Sequence, residues 1–250
     1  MGCEGLLRFP LRTRAVEEIA SGPAPTDMTF PAPEESDGLV LALHSCSDVF
    51  GVGLQPLHNG SAEAPTAALK TFPLGRELSC RLLECVETVL PAGKWPRLAR
   101  LAVATGPGGF TGTRLSVVLA RTLAQQLQLP LDGISSFLLM AHRHWNGGLG
   151  LGSAPFWLVQ DLPRRGVVAG MYQPDPQALG GMAERQTPRL FPHLDDLRAR
   201  AACPLVPAKI QLPNDLSALL CLSQAAAATG TAAPWQLVLP IYPTSPVGKV

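Results

Sequence analysis

The chain has 250 residues, of which 46% are hydrophobic and 16% are charged, and its formal net charge is +1. This length and composition allow one large domain or two smaller ones with a sizeable core, and they exclude a low-complexity chain. The charge is spread without a large basic block, so the sequence does not predict a protein that binds nucleic acid by itself. No stretch of about 18 apolar residues occurs, which predicts a cytoplasmic protein without a membrane span.

Residues 1–37 differ in composition from the rest of the chain. The stretch SGPAPTDMTFPAPEESDG combines Pro, Gly, Ser and acidic residues without an apolar period. Such a composition is typical of a disordered segment because it offers little apolar surface to bury. We therefore interpret residues 1–37 as a disordered or misannotated extension, with Met28 as a candidate for the true start of translation.

The first ordered part of the chain reads as alternating strands and helices. The stretch LVLALHSCSDVFGVGL contains two apolar runs around a turn and predicts a strand hairpin, and TAALKTF predicts a weaker third strand. LGRELSCRLLECVETVLP has apolar residues at helical spacing and ends at a proline, so it predicts a helix. Further strands are predicted at 101–105 and in PLDGISS, and further helices at 111–129 and in FLLMAHRHW. The order predicts an α/β layered domain.

The second half of the chain is less regular. PFWLVQDL and GVVAGMY predict paired strands around a turn at residues 163–166. HLDDLRARA and DLSALLCLSQAAAA predict helices, and WQLVLPIYP lies near the end of the chain.

The stretch LAVATGPGGFTGTRLSVVLARTLAQQL reads as a buried strand, a glycine loop and a helix. A helix N-terminus presents unpaired N–H groups and can hold an anion. The loop nevertheless fits neither common nucleotide motif, because a P-loop would need lysine at position 112 and G-x-G-x-x-G would need glycine at 111. The alternative is a tight turn whose glycines serve geometry alone. The candidate anion-binding residues are Gly106, Gly108, Gly109, Thr111 (also a candidate helix cap), Gly112 and Arg114.

The segment GPGGFTGTRLSVVLA closely resembles the GPGSFTGLRIG segment of the TsaB (YeaZ) family. Other pieces agree in order. LVLALHSCSDVFGVGL resembles the family's opening hairpin, GISSFLLMA its GVSSLEALA, DLPRRGVVAGMY its DARRGEVYAGLY, and VLPIYPTSP its closing PLYLRRP. The resemblance runs from about residue 39 to 246, with the loop as its most specific piece and residues 175–235 contributing little.

This resemblance implies an actin-like, Hsp70-like (ASKHA) fold in two half-domains, which we place at residues 38–150 and 151–250. It also implies a non-catalytic partner of the TsaD subunit in threonylcarbamoyl transfer to adenosine 37 of tRNAs that read ANN codons. TsaE is then a further partner, tRNA is reached through the complex, and a homodimer is expected when TsaD is absent. The chain is expected to have no cofactor of its own beyond weak ATP or ADP binding at the complex interface, with the metal on TsaD alone.

Several residues depart from the family pattern. His44 stands where the family has the aspartate that, in actin-like ATPases, orients water and metal around the phosphates. A neutral imidazole cannot replace that charge near a hard Mg²⁺ ion. Gly109 replaces a serine, Thr113 a leucine and Val168 a tyrosine. We therefore interpret His44 as a tolerated residue at the end of a strand, in a chain whose nucleotide chemistry is weakened.

Two helical segments, residues 74–90 and 111–128, are the candidates for a protein interface. The second has an apolar arc wide enough to cover the domain core and still offer a face to another protein. In the resembled family these helices contact TsaD. The alternative is that the helices are buried entirely within their own domain. The candidate interface residues are Leu78, Leu82, Leu83, Val86, Leu115, Val118, Leu119 and Thr122.

Two other functions compete with the interaction subunit. An independent ATPase or kinase of the actin-like fold is disfavoured by His44 and by the missing second phosphate loop. A glycoprotease-like metallopeptidase would need ligands at fixed spacing, and the five histidines include no H-x-x-x-H pair. ATP turnover by the isolated protein and a metal assay discriminate these two functions from the first.

Overall fold

The computed structural model describes residues 38–57, 67–147, 152–198 and 203–243. Residues 1–37, including Met28, lie outside these ranges, so the interpretation of this segment stays a prediction. Within them the chain forms two mixed β-sheets with helices packed on their faces, as the α/β prediction requires. None of the helices in the described ranges has the length and apolar character needed to span a lipid bilayer.

The first sheet has five strands in the order β3-β2-β1-β4-β5. The predicted hairpin is confirmed, because β1 pairs antiparallel with β2 and β2 with β3. β1 also pairs parallel with β4, and β4 with β5. The strands are β1 (Leu39–His44), β2 (Val49–Pro56), β3 (Ala68–Pro73), β4 (Leu98–Ala104) and β5 (Leu131–Ile134).

Three helices occur in this part of the chain: α1 (Leu78–Glu87) and α2 (Phe110–Leu127), which pack on the first sheet, and α3 (Ser136–Asn146), which packs mainly on the second sheet and the last helix. The side chain of Ser135 accepts a hydrogen bond from the backbone N–H of Phe137 and so caps the start of α3. Leu41 and Leu43 of β1 share a core cluster with residues of α1 and α2. Side chains alternate along a strand, so one face of β1 carries these two helices and the other face needs a different cover.

The second sheet has four strands in the order β8-β7-β6-β9. The predicted pair of strands is confirmed as β6 (Phe156–Leu162) and β7 (Gly166–Pro174), joined antiparallel. The sequence patterns did not predict β8 (Met182–Phe191) or β9 (Leu205–Pro207). The helix predicted in HLDDLRARA is α4 (Asp195–Arg198), and the residues that follow it are not described.

The last helix, α5 (Asn214–Ala228), comes from the second half of the chain but packs on the first sheet. Its Leu216 and Leu219 share a cluster with Val40 and Ala42 of β1. β1 is therefore buried on both faces, which explains its continuous apolar run. The half-domain limits at 38–150 and 151–250 stay a prediction.

Residues 231–243, here called the C-terminal strap, run beside the edge strand β5. The backbone N–H of Leu131 donates to the carbonyl of Ala233 at 2.9 Å, and that of Ile241 donates to the carbonyl of Thr105 at 2.7 Å. Val238 is buried and lies against Gly133 of β5. The strap thereby covers a strand edge that would otherwise be open to pairing.

A buried ion pair joins the two parallel strands β4 and β5. The guanidinium of Arg100 donates to both carboxylate oxygens of Asp132 at 2.7 Å, and Arg100 also reaches the carbonyl of Thr231 at 3.3 Å. Ser223 of α5 donates to the same carboxylate at 2.6 Å. Both charged side chains are almost fully buried. Each charge is therefore stabilised mainly by the opposite charge of the other.

We predict that Asp132→Asn lowers the free energy of unfolding by about 3 kcal/mol, because it leaves the Arg100 charge buried without a carboxylate. The double change Arg100→Met with Asp132→Leu should cost less than the single change, since it removes both charges. Glu84→Gln is the control, because Glu84 pairs with Arg81 on the exposed surface of α1. Urea unfolding measures all three. Equal losses for Asp132→Asn and Glu84→Gln would contradict the prediction.

Candidate functional site

The glycine loop between β4 and α2 packs directly on the turn that follows β1. The backbone N–H of Gly109 donates to the carbonyl of Cys46 at 2.8 Å. A Cβ atom added at Gly112 would lie 2.6 Å from the carbonyl oxygen of Ser45, and one added at Gly108 would collide with Cys46. Glycine is therefore required at 108 and 112 by close backbone approach.

Side-chain hydrogen bonds join the same two segments. The hydroxyl of Ser45 donates to the carbonyl of Gly112 at 2.7 Å and lies 2.6 Å from the hydroxyl of Ser116. Both serines are fully buried. Since buried hydroxyls need partners, this pair attaches the first turn of α2 to the end of β1.

α2 begins at Phe110, with Gly109 as its N-cap and no side-chain cap. The expectation that Thr111 caps this helix is wrong, because Thr111 already lies inside the first turn. A cavity of about 310 Å³ adjoins this helix end. Its lining residues are Ser47, Asp48, Gly75, Arg76, Leu78, Ser79, Gly109, Phe110, Thr111, Gly112 and Leu115.

Only part of the predicted anion loop lines this cavity. Gly109, Thr111 and Gly112 do, whereas Gly106 packs on the other side of the loop, near the carbonyl of Ile241. Arg76, which precedes α1, supplies the arginine on the wall, and Arg114 lies exposed further along α2. Sequence reasoning missed Arg76 because no local pattern connects the start of α1 to the glycine loop. Anion binding at this cavity stays a prediction.

The candidate interface residues divide into an exposed set and a buried set. Leu83 is 48% exposed and Val118 is 54% exposed. Leu78 and Val86, in contrast, lie in the core. Their selection as interface residues is corrected, because they occupy the flank of α1 that packs on the sheet and on α2. The remaining set, here called the docking face, is Leu82, Leu83, Leu115, Val118, Leu119 and Thr122.

His44 lies at the end of β1, on the sheet face that carries α5. It is fully buried, and neither ring nitrogen has a hydrogen-bond partner from another residue in the described part of the chain. Its cross-strand neighbour Gly51 lies against Leu212 and Leu216. Burial in these surroundings lowers the pKa of His44 to about 4, so the imidazole is neutral near pH 7.

Polar contacts also join α3 to the start of α5. Arg143 donates to the carboxylate of Asp215 at 2.6 Å, and the backbone N–H of Gln211 donates to its other oxygen at 2.6 Å. Burial raises the pKa of Asp215, while these donors oppose the shift. Among the described residues, no three His, Cys, Asp or Glu side chains form a group that could hold a metal ion.

The close approach of the glycine loop to the turn after β1 can be tested with two matched variants. Gly112→Ser should lower the free energy of unfolding by about 2 kcal/mol or more, because the new Cβ must displace the Ser45 carbonyl. Gly109→Ser should be neutral or slightly stabilising, since the nearest atom to its Cβ position is 3.9 Å away and serine is a good N-cap. Thermal and urea unfolding of the two proteins test this, and equal stabilities would refute it.

The buried imidazole of His44 predicts that the stability of the folded chain depends on pH. The pKa of His44 is about 4 in the folded chain and about 6.5 in an unfolded one. Between these values only the unfolded chain takes up the proton, so stability falls as pH is lowered through this window. The loss between pH 7 and pH 5 should be about 2 kcal/mol.

His44→Leu should remove most of this pH dependence, which urea unfolding at the two pH values measures. Burial also lowers the pKa of His142 and of His144, which adds a slope of the same sign, whereas the raised pKa values of Asp215 and Glu184 act in the opposite direction. A variant that keeps the full slope of the natural protein would show that His44 is not its source.

The chain is similar in sequence to proteins of tRNA modification. Its residues 75–173 match the family model described as TsaD, tRNA N6-adenosine threonylcarbamoyltransferase. It is 38% identical over 78 residues to the tRNA threonylcarbamoyladenosine biosynthesis protein TsaB of Bacillus subtilis (strain 168), and 35% identical over 72 residues to the protein of that name from Escherichia coli (strain K12). These matches cover 30% and 28% of this chain and 31% of each relative. They therefore span about a third of the length of the curated relatives.

The fold is similar to two solved structures from Pseudomonas aeruginosa. One is described as an uncharacterized protein with similarity to peptidase YEAZ, with a TM-score of 0.61 and 22% identity over 83% of this chain and 100% of the other. The second, described as YeaZ, has a TM-score of 0.60 and 22% identity over 82% of this chain and 99% of the other. The sequence matches are thus to proteins named TsaB and to the TsaD family model, and the fold is that of the YeaZ structures, which agrees with the actin-like (ASKHA) α/β fold that the resemblance implied.

Proposed function

We propose that this chain is a non-catalytic partner subunit in the biosynthesis of threonylcarbamoyladenosine in tRNA, and that it acts by docking a TsaD-type subunit. Two kinds of similarity support the pathway: the curated relatives are named for this biosynthesis, and the family model matching residues 75–173 describes the transferase. The matched residues include α1 and α2, the two helices that carry the docking face.

The observation that carries the proposal is the exposure of large apolar side chains on these two helices. Leu83 and Val118 are each about half exposed, beside the half-buried Leu82, Leu115 and Leu119. Fully burying an aliphatic side chain of this kind stabilises an assembly by roughly 1.5–3 kcal/mol. Exposed large apolar side chains on two helices that pack together support a protein–protein interaction site.

The buried side of α2 packs on the first sheet and so holds the docking face in place. Val117, Ala120 and Ala124 are almost fully buried in the cluster that contains Leu101 and Val103 of β4. The two small alanines let the helix lie close to the sheet, and the loop contacts hold its first turn. A pre-organised face loses little conformational freedom on binding, which favours affinity.

In this proposal the TsaD-type subunit supplies the active site and its metal, and this chain reaches tRNA only through the complex. The neutral His44 supports that division, because it cannot provide the charge of an aspartate next to a phosphate-bound Mg²⁺. We assign weak ATP or ADP binding to the junction of the subunits, with the cavity at the start of α2 as the candidate site. A TsaE-type protein is a further partner, and a second copy of the chain occupies the docking face when the TsaD-type subunit is absent.

Leu83→Asp and Val118→Asp should each weaken binding of the TsaD-type subunit by at least about tenfold, because each places a charge in the apolar contact. Both variants should stay folded, since both side chains are exposed in the monomer. Biolayer interferometry measures the affinity, and circular dichroism checks the fold.

Two further variants act as controls. Leu190→Asp changes a leucine of β8 that is 37% exposed and should bind normally, whereas Val117→Asp changes the buried neighbour of Val118 and should unfold the chain. Misfolding of Leu83→Asp and Val118→Asp as well would show that the docking face is part of the core.

The catalytic side of the proposal is tested by reconstitution. Purified chain, TsaD-type and TsaE-type subunits, tRNA and the threonylcarbamoyl donor should yield the modified nucleoside, measured by mass spectrometry of digested tRNA. Leaving out this chain should abolish the product, and the chain alone should hydrolyse no ATP. Robust turnover of ATP by the isolated chain would instead support the kinase or ATPase hypothesis.

A further inference from the structure

The flank of α2 that faces the C-terminal strap combines arginines with aromatic rings. The ring of Phe110 lies 4.7 Å from that of Tyr242, and the guanidinium of Arg121 lies 5.7 Å from the centre of the Trp235 ring. Arg114 lies between these two contacts on the same side of the helix. The strap therefore runs antiparallel to α2. Phe110, Arg114, Arg121, Trp235 and Tyr242 are here called the arginine flank.

The arginine flank is continuous with the docking face. Arg114 and Val118 are four residues apart in the same helix, so their side chains are neighbours on its surface. Both are exposed. Phe110 and Tyr242 are 40% and 39% exposed, respectively. One surface therefore extends from α1 across the exposed ridge of α2 to the strap.

The helix and the strap contribute only positive charge to this flank, and Asp48 lines the cavity next to Phe110 at the start of α2. Neither α2 nor the strap contains an aspartate or glutamate. The nearest acidic residue along the chain, Asp132, is buried and paired with Arg100. At α1, Glu84 and the preceding Glu77 pair with Arg81 at 3.2 and 3.9 Å, and the exposed Glu87 lies one turn beyond Leu83.

We propose that the arginine flank receives a segment of the docked TsaD-type subunit in which carboxylate side chains accompany apolar ones. This inference rests on the proposed function, and it adds the chemistry of the partner surface. Charge complementarity carries it, because Arg114 and Arg121 lie on one side of a helix that, like the strap beside it, has no acidic residue, and such cations attract a negative surface and steer its approach. Aromatic residues and arginine are also the types enriched in protein interfaces.

The two exposed leucines of the strap, Leu237 and Leu239, lie apart from the arginine flank. Val238 packs in the cluster shared with α2, while Leu237 and Leu239 on either side of it line a cavity with Leu179 and with Ala226 of α5. Leu239 belongs to the same strap as the arginine flank, but the cavity that it lines contains no residue of that flank, which makes it a matched control.

The test measures association rates of the TsaD-type subunit with the full chain at several salt concentrations. Arg114→Glu should lower the association rate constant about tenfold at low ionic strength, and the difference should shrink towards none at about 1 M salt, where charges are screened over a few ångströms. Arg114→Gln should fall between the natural protein and Arg114→Glu. Val118→Asp, in contrast, should act mainly on the dissociation rate.

Two controls separate local from general effects. Arg165→Glu makes the same charge change in the exposed β6–β7 turn and should leave the association rate unchanged. Leu239→Asp changes an exposed leucine of the strap and should also bind normally. Equal effects of Arg114→Glu and Arg165→Glu would overturn the inference.

The outcomes distinguish this inference from the proposed function. If the natural chain binds the TsaD-type subunit and Val118→Asp abolishes binding, but Arg114→Glu has no salt-dependent effect, only the inference fails. If the natural chain does not bind that subunit, both fail. If Arg114→Glu leaves subunit binding intact but weakens binding of an anticodon stem-loop RNA, the flank serves a nucleic acid and the inference is overturned.

Discussion

The backbone contact between the glycine loop and the turn after β1 is the constraint on which the rest of this structure depends. At Gly108 and Gly112 there is no room for a side chain, because the carbonyl groups of Cys46 and Ser45 occupy that space. This contact sets where α2 begins and how it is rotated on the sheet. The rotation in turn decides which of its apolar residues are buried, such as Val117, and which are exposed, such as Val118.

The same contact helps to explain how a loop that resembles a phosphate-binding motif can serve an architectural purpose. The Gly109 N–H, which could have faced an anion, is bound to the Cys46 carbonyl, and the Ser45 hydroxyl is bound to Gly112. His44, at the neighbouring strand end, is a buried neutral imidazole without a polar partner from another described residue. Groups near the strand ends are thus occupied in holding α2 in place. This arrangement supports the role proposed above, in which the chain contributes a surface and its partner the chemistry.

Two surfaces border the exposed ridge of α2, and they differ in character. The side towards α1 is apolar, with Leu83 and Leu115, and suits a contact that is stabilised mainly by removing water. The side towards the strap carries Arg114 and Arg121 beside aromatic rings, and suits orientation of a partner through charge. A partner that satisfies both must combine an apolar patch with carboxylates at one edge. This requirement is more selective than either surface alone.

Local patterns in the sequence determined the hairpin of β1 and β2, the β4–loop–α2 unit, the β6–β7 pair and the family resemblance, because periodicity and turn residues act over a few positions. They could not separate Leu78 from Leu83, since both belong to an apolar set on one helix and only the packing of α1 against α2 and the sheet buries the first. Nor could they show that α5 covers the first sheet, that Arg76 lies beside the glycine loop, or that the strap runs along α2. Those relations join residues far apart in the chain, and only the tertiary structure decided them, because burial and charge pairing depend on neighbours in space.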